Sequence, residues 1–473
     1  MTAGRADKVA VCGAGAMGSG IAQIAAQSGA HVKIFDVNAR ALAASEKRTR
    51  EGLDKLAVRG KLTAGQASAI CERIEWVSSL EALADRELVI EAIIEDVVAK
   101  GQLFEQLEAV VTADAIIATN TSSLPVSRLA RGFRHPHRFV GMHFFNPATV
   151  MKLVEVVAGA ATDPKIVTRL IAAAESWGKV AIPVADVPGF IVNRVARPYY
   201  AEAFAVLGEG ESAAVIDALF RASAFRMGPL ELADLIGQDV NFAVARSVFD
   251  SYFGRTRFVP QLRQAALVDA GWFGRKTGRG IYDYGVEGPG SELTTIDPVV
   301  PIEAHRQAAS ELAEAQSGEF IPCDGVFLGK TRGRSALTES RGLGTPAVLF
   351  DWFPEDGEGA IGFTLSDPVA LPVAMGVLGA LGRPGVELAD RPGLIVARTL
   401  AQIANAAADA VLEQVADEEG IDAALRHGAN YPFGPFAWAD RIGRAALVRL
   451  LDAIADETGE AMYRPSYYLK KTA

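Results

Sequence analysis

His143 is one of six histidines in 473 residues and opens the run His143-Phe-Phe-Asn146-Pro147, with Glu155 twelve positions later. Arg138 to His143 and Leu153 to Val157 read as short apolar strands. His143 ends the first and Glu155 sits inside the second. Adjacent strands bring the imidazole and the carboxylate within hydrogen-bond reach. A carboxylate on one ring nitrogen fixes the tautomer and favours the imidazolium, so the other nitrogen can take a proton near neutral pH. The plainer alternative is a structural histidine at a strand end and a glutamate on a solvated strand face. An isolated pair does not separate the two.

The elements around the pair carry more. Lys8 to Cys12 reads as a strand, followed by Gly13-Ala-Gly15-Ala-Met17-Gly18, a helix over Ser19 to Ser28, and a second strand from His31 to Phe35 that ends at Asp36. A Gly-x-Gly-x-x-Gly between strand and helix, with an acid after the next strand, points to a dinucleotide site of the Rossmann type. Gly13 permits the tight turn, Gly15 lets a pyrophosphate approach the backbone, and Gly18 lets helix and strand pack. Met17 lies in the same turn. The phosphates sit on the helix N-terminus. Asp36 accepts from the ribose hydroxyls and repels a 2′-phosphate, so NAD is expected over NADP. Further strands, Leu88 to Ile93 and Ala115 to Thr119, lead into Glu95 and into Asn120-Thr-Ser122-Ser123. Polar residues after the carboxyl ends of parallel strands line the ligand crevice, which places Asn120 and Ser122, although both are also ordinary turn and cap residues. Lys179 to Val184 closes the sheet.

Asn38 to Cys71 exceeds a minimal strand-helix-strand unit. It reads as a helical hairpin turning at Gly60, with cations at Arg48, Arg50, Lys55, Arg59 and Lys61 that could hold a second phosphorylated ligand or simply form a solvated face. At Asp186-Val-Pro-Gly189 the pattern becomes helical and stays so to Gly271. A glycine-rich basic loop around Lys276 and a Gly/Pro/Ser/Thr-rich linker over 285–300 follow. Pro188-Gly-Phe-Ile-Val-Asn193-Arg194 then returns as Pro392-Gly-Leu-Ile-Val-Ala397-Arg398, and Met227-Gly-Pro returns as Phe433-Gly-Pro. The helical domain is therefore duplicated, and Ala397 stands where the first copy has Asn193. The expected organisation is an α/β NAD-binding domain over 1–185, a first helical domain over 186–285, a linker and divergent α/β remnant over 286–384, and a second, degenerate helical domain over 385–473.

Composition narrows the classes. Half of the residues are apolar and the net charge is −10, which argues against a broad nucleic-acid or anionic-membrane surface. Cys12, Cys71 and Cys323 lie far apart, without metal spacing or a disulfide framework, which suits a reducing cytoplasm. No run approaches the roughly 18 apolar residues of a membrane span. The first strand starts at Lys8, leaving no room for a signal peptide.

Taken together, Gly13-x-Gly15-x-x-Gly18, Asn120-Thr-Ser122-Ser, His143-Phe-Phe-Asn146-Pro, Lys152-Leu-Val-Glu155, Pro188-Gly-Phe-Ile-Val-Asn193-Arg, Met227-Gly-Pro and Arg275-Lys276-Thr-Gly resemble the NAD-dependent L-3-hydroxyacyl-CoA dehydrogenases. The resemblance covers Lys8 to Tyr284 and, more weakly, 385–443. It implies that His143 is the general base and Glu155 its orienting partner, and that Ser122 and Asn193 bind the reacting oxygen. It also implies that Asp36, Glu95, Lys100, Asn120, Asn146 and Lys276 hold NAD, and that the hairpin after Asp36 meets coenzyme A. There Gly52 and Arg59 stand where relatives carry serine and lysine, leaving Arg59 and Lys61 as the cations to consider. The double-length form is most similar to the bacterial group acting on 3-hydroxyadipyl-CoA in phenylacetate breakdown. Arg197 and Arg226 are then candidates for the acyl carboxylate, although surface arginines are the commoner case. Single-copy relatives pair through the helical domain, so the duplication implies an internal pseudo-dimer or a homodimer. No metal is implied. The competing readings are 3-hydroxybutyryl-CoA as substrate, an NAD-dependent dehydrogenase of a free hydroxy or sugar acid, and an NAD-binding protein without catalysis.

Overall fold

A computed structural model describes residues 6–285, 293–314 and 319–473. The expected signal-free N-terminus falls largely on residues 1–5, and the 285–300 linker in part on residues 286–292, both outside the described residues. Two compact units form. One runs up to Val192 and includes Gln414–Ala429, and the other comprises Asn193–Glu413 and Asn430–Ala473.

In the first unit, eight strands are β1 Lys8–Cys12, β2 His31–Phe35, β3 Ile74–Val77, β4 Leu88–Glu91, β5 Ile116–Thr119, β6 Phe139–Phe144, β7 Leu153–Ala158 and β8 Val180–Ala185. They make one sheet in the order β3-β2-β1-β4-β5-β6-β7-β8. It is parallel from β3 through to β6, and antiparallel only between β6 and β7. The strand order reverses at β1, flanked by β2 and β4, so a crevice opens at the carboxyl ends there. The central strands are buried on both faces, hence their near-continuous apolar runs. β3 lies at the sheet edge, and its four residues, Ile-Glu-Trp-Val, are only partly buried and show no apolar run. After β2 the hairpin forms as Ala39–Val58, capped by Asn38, and Ala64–Glu72, opened by a Thr63–Gln66 capping box.

The helical copies begin differently from the expected run over Gly189 to Gly208. Gly189 and Phe190 take φ of +78° and +48°, so the chain turns there before the helices Val192–Val195 and Arg197–Gly208. Within the second unit, Arg197–Gly208 packs against Val396–Leu412, one helix from each copy. Arg194 pairs with Glu413 at 2.7 Å, and Arg398 pairs with Glu209 at 3.2 Å. Arg398 and Glu413 stand 204 residues after Arg194 and Glu209 (398 − 194 and 413 − 209). The contact is thus self-complementary, as across a twofold axis, but within one chain.

Between the copies, β9 Ile321–Cys323, β10 Val326–Lys330, β11 Ala347–Phe350, β12 Ile361–Leu365 and β13 Gly385–Glu387 form a second sheet in the order β13-β12-β11-β10-β9. From β10 to β13 the pairings are parallel, antiparallel, parallel, the same succession as from β5 to β8. The segment expected as a remnant is therefore a second, shortened copy of the outer half of the first sheet, with its own apolar core. The expected second helical domain, 385–473, does not stay together. Its helix Glu418–Gly428 packs in the first unit on β7 and β8. Gly428 allows this approach, because a Cβ there would collide with Leu153. The corresponding helix of the first copy, Ala213–Ala222, lies on β12. Each copy thus lends one helix to the sheet of the other. Among the described residues no helix is long and apolar enough to cross a membrane.

Candidate active site

The antiparallel register of β6 and β7 sets His143 directly opposite Glu155. Their side chains meet with Nδ1 2.7 Å from Oε2. The other carboxylate oxygen, Oε1, accepts from the backbone N–H of Ile191 at 2.9 Å and of Val192 at 3.0 Å. Glu155 is fully buried, so these bonds hold its charge in place and aim it at the ring. Phe145 and Phe190 flank the imidazole, with ring centroids at 4.5 and 5.7 Å. A carboxylate on Nδ1 keeps a proton there and leaves the Nε2 lone pair as the free base. Asn120 Oδ1 accepts from Phe144 N–H at 2.8 Å and ties the end of β5 to β6. Asn146 follows in the loop after β6. Lys179 Nζ donates to the carbonyls of Ala148 and Met151 at 2.6 and 2.7 Å and pins the far side of that loop. Burial lowers its ammonium to about 8.

Glu95 organises the loop after β5. Its Oε1 accepts from the Thr121 hydroxyl at 2.6 Å, from Ser122 N–H at 2.9 Å and from Ser123 N–H at 3.1 Å. Burial alone would raise this carboxyl; the Thr121 hydroxyl and Lys100 outweigh it and hold it below its usual range. Ser122 is thereby presented half-buried at the same sheet edge as His143, since β5 and β6 are parallel neighbours. Lys100 differs from the expected direct cofactor contact. It is 1% exposed, with Nζ 2.6 Å from Glu91 and 3.2 Å from Glu95, so two carboxylates already occupy its ammonium. Glu91 was missed in the sequence. It is a lone acid in an apolar strand, and such a residue needs a buried partner; that was its signal.

The glycine turn has the geometry a pyrophosphate needs. Gly13 takes φ +112°. A Cβ on Gly18 would collide with the Gly13 carbonyl, whereas one on Gly15 would meet no atom within 4 Å, leaving open space at the helix N-terminus. The helix Ala16–Gln27 has no side-chain cap, while Met17 packs against the core. Asp36 stands at the end of β2 and accepts from Ala14 N–H at 2.8 Å. Of the hairpin cations, Arg48 turns inward and donates to the Ala14 carbonyl at 2.7 Å, so it braces this turn, and Arg50 is held by Glu46 at 2.7 Å. Arg59 and Lys61 are exposed, and Lys55, Val58 and Arg59 line a shallow open groove.

The remaining expected residues lie in the second unit. Asn193 is half-buried on the helix Val192–Val195. Lys276 is held by Asp239 at 2.5 Å. Arg197, expected at an acyl carboxylate, is instead buried, with its guanidinium over the Tyr200 ring at 5.1 Å and Nη1 3.5 Å from the Asn241 carbonyl. Arg226 is exposed.

Residues 8–187 match the family profile of the 3-hydroxyacyl-CoA dehydrogenase NAD binding domain, and residues 189–284 and 393–473 match that of the C-terminal domain. The chain is 41% identical over 468 residues to 3-hydroxyadipyl-CoA dehydrogenase of Escherichia coli (strain K12), covering 98% of this chain and 97% of that one. It is 41% identical over 279 residues to a probable 3-hydroxybutyryl-CoA dehydrogenase of Bacillus subtilis (strain 168), covering 59% of this chain and 97% of that one. A crystal structure of 3-hydroxybutyryl-CoA dehydrogenase from Escherichia coli K12 superposes with a TM-score of 0.91 at 38% identity, over 99% of this chain and 98% of the other. With a dinucleotide turn, a buried His–Glu pair and two copies of the helical domain, the chain belongs to the 3-hydroxyacyl-CoA dehydrogenase family and is an NAD-dependent oxidoreductase.

Proposed function

We propose that the chain oxidises 3-hydroxyadipyl-CoA to 3-oxoadipyl-CoA. The observation that carries this acyl group is the similarity to the Escherichia coli enzyme of that name, which aligns over 98% of this chain. The shorter relatives and the solved structure are named for 3-hydroxybutyryl-CoA, which is the second reading. Purified protein with NAD and 3-hydroxyadipyl-, 3-hydroxyhexanoyl- and 3-hydroxybutyryl-CoA tests it. A kcat/KM at least about tenfold higher for the dicarboxylic substrate is expected, the value of one charged hydrogen bond. Equal or better use of the uncharged acyl chains overturns the adipyl reading and leaves the family intact. With Arg197 buried, Arg226 is the remaining candidate for the tail.

In the proposed mechanism, NAD supplies the hydride acceptor when bound. Gly13, Gly15, Met17 and Gly18 seat its pyrophosphate, Asp36 its ribose, and Glu95, Asn120, Asn146 and Lys276 make further contacts. His143 Nε2 takes the proton of the C3 hydroxyl. Glu155 stabilises the imidazolium that forms, and its bonds to Ile191 and Val192 keep it from turning away. Ser122 and Asn193 donate to the oxygen as charge develops. Arg59 and Lys61, beside the groove on the hairpin, meet the coenzyme A phosphates. The buried free thiols Cys12, Cys71 and Cys323 support a cytoplasmic setting. The self-complementary contact of the helical copies supports an internal pseudo-dimer, and sedimentation velocity tests whether the chain pairs further.

A further inference from the structure

The second half of the chain holds a pocket that the dehydrogenase reaction does not use. Its cavity measures about 70 Å³ and opens to solvent, and all its lining residues belong to the second unit. Its residues occupy repeat positions. Lys330 and Thr331 come off the carboxyl end of β10 as Asn120 and Thr121 come off β5, and Ala397 holds the place of Asn193. The chemistry has been exchanged. The polar hydroxyacyl set is gone, and cations and indoles replace it.

Trp352 and Trp438 meet edge to face at 6.0 Å, and Lys330 Nζ lies 5.3 Å over the Phe353 ring. Burial lowers the Lys330 ammonium from its ordinary value, and its Nζ donates to the Ala313 carbonyl at 3.2 Å, so an added anion beside it would favour the charged form. Arg441 is half-exposed and only loosely met by Glu355, at 3.9 Å, beyond hydrogen-bond reach. Trp438 is 2% exposed, and its indole N–H has no hydrogen-bond partner among the described residues. A buried donor without an acceptor is costly. Glu314 and Glu355 balance the two cations, which disfavours a polyphosphate while allowing one negative charge to displace Glu355 from Arg441.

We propose that this pocket binds a small monocarboxylate with an apolar or aromatic body, its carboxylate on Arg441 and Lys330 and its body against Trp352 and Phe353. Titration calorimetry of the full chain with benzoate and hexanoate, with benzamide and hexanamide as uncharged controls, tests it. One carboxylate bound per chain is expected, not displaced by saturating NADH with acetoacetyl-CoA, and at least about tenfold tighter than the amide. Arg441→Gln and Lys330→Met should each weaken binding about tenfold while acyl-CoA turnover stays within about twofold. If Lys330→Met does not fold, Arg441→Gln alters a half-exposed side chain and carries the test alone. No binding, equal binding of the amides, displacement by acetoacetyl-CoA, or wild-type affinity in the folded variants each overturns the proposal.

Discussion

The outer half of the first sheet, β5 to β8, and its shortened copy, β10 to β13, solve the same backbone problem with different side chains. In the first, Glu155 on β7 caps the N–H groups of Ile191 and Val192 and also holds His143. In the second, the carboxylate comes from Asp351 at the end of β11. It caps Ile395 and Val396 at 3.0 and 2.8 Å, and also Ala397 at 2.8 Å. Ile395 and Val396 stand 204 residues after Ile191 and Val192 (395 − 191 and 396 − 192). Gly362 is the residue whose carbonyl accepts from Asp351 N–H across β12, and the copy has no imidazole there. Capping the entry to the helical domain is thus a structural duty of the carboxylate, kept in both halves. The imidazole is the part without a counterpart in the copy.

The largest effect should separate the halves outright. His143→Gln is expected to lower kcat by about 10² to 10⁴, the value of a general base, while NADH still binds by fluorescence titration. Asp351→Asn, assayed where it is folded, should keep kcat within about twofold of wild type. A comparable loss in both variants would break the distinction between a catalytic and a structural half.

Next come the two arginines of the helical contact. Arg398 is 2.6 Å from Glu202, which is 1% exposed, so Arg398→Ala leaves a buried carboxylate with only the Tyr463 hydroxyl beside it and should cost about 3–5 kcal/mol in urea unfolding. Arg194 is itself fully buried, but Arg194→Ala leaves Glu413 one-third exposed and still paired with Arg255, so a smaller loss than for Arg398→Ala is expected. Equal losses would show that burial of the partner does not set the cost.

A pH comparison is smaller. Burial raises the Asp351 carboxyl from 3.8 to about 6 against its four backbone N–H bonds. The folded state then holds the proton more tightly than the unfolded one, so this group's contribution to stability falls as pH rises from about 4 to about 6. Wild type minus Asp351→Asn should therefore be larger at pH 4 than at pH 7, by at most about 3 kcal/mol. A gap that grows with pH would reverse the sign of the effect. The smallest effect concerns Ala397→Asn, which restores the amide of Asn193 in the second copy. No gain in turnover is expected, because that half has neither the glycine turn nor the histidine. A second burst equivalent of NADH would contradict one site per chain.

The glycine turn, its acid, the His143 and Glu155 strands and the repeated helical domain were legible because each is written locally: a strand, a glycine spacing, a helical period, a recurring heptapeptide. Residues whose partners come from elsewhere in the chain were not. Lys100 looked like a cofactor contact until Glu91 and Glu95 enclosed it. Arg197 looked like a tail anchor until its helix buried it. The strands of the second sheet are three to five residues long, and strands that short draw their stability from neighbours rather than from their own propensity.

By itself the sequence determined the chemistry on offer: a dinucleotide turn, an imidazole twelve residues from a carboxylate, and a duplicated helical domain. Those are properties of residue type and spacing. Only the tertiary structure decided that the carboxylate also caps the helical entry, that Lys100 is buried against Glu91 and Glu95, and that the helices Glu418–Gly428 and Ala213–Ala222 exchange sheets. Each of those depends on which groups lose water together, and burial is set by the packing of distant segments, not by the order of residues along the chain.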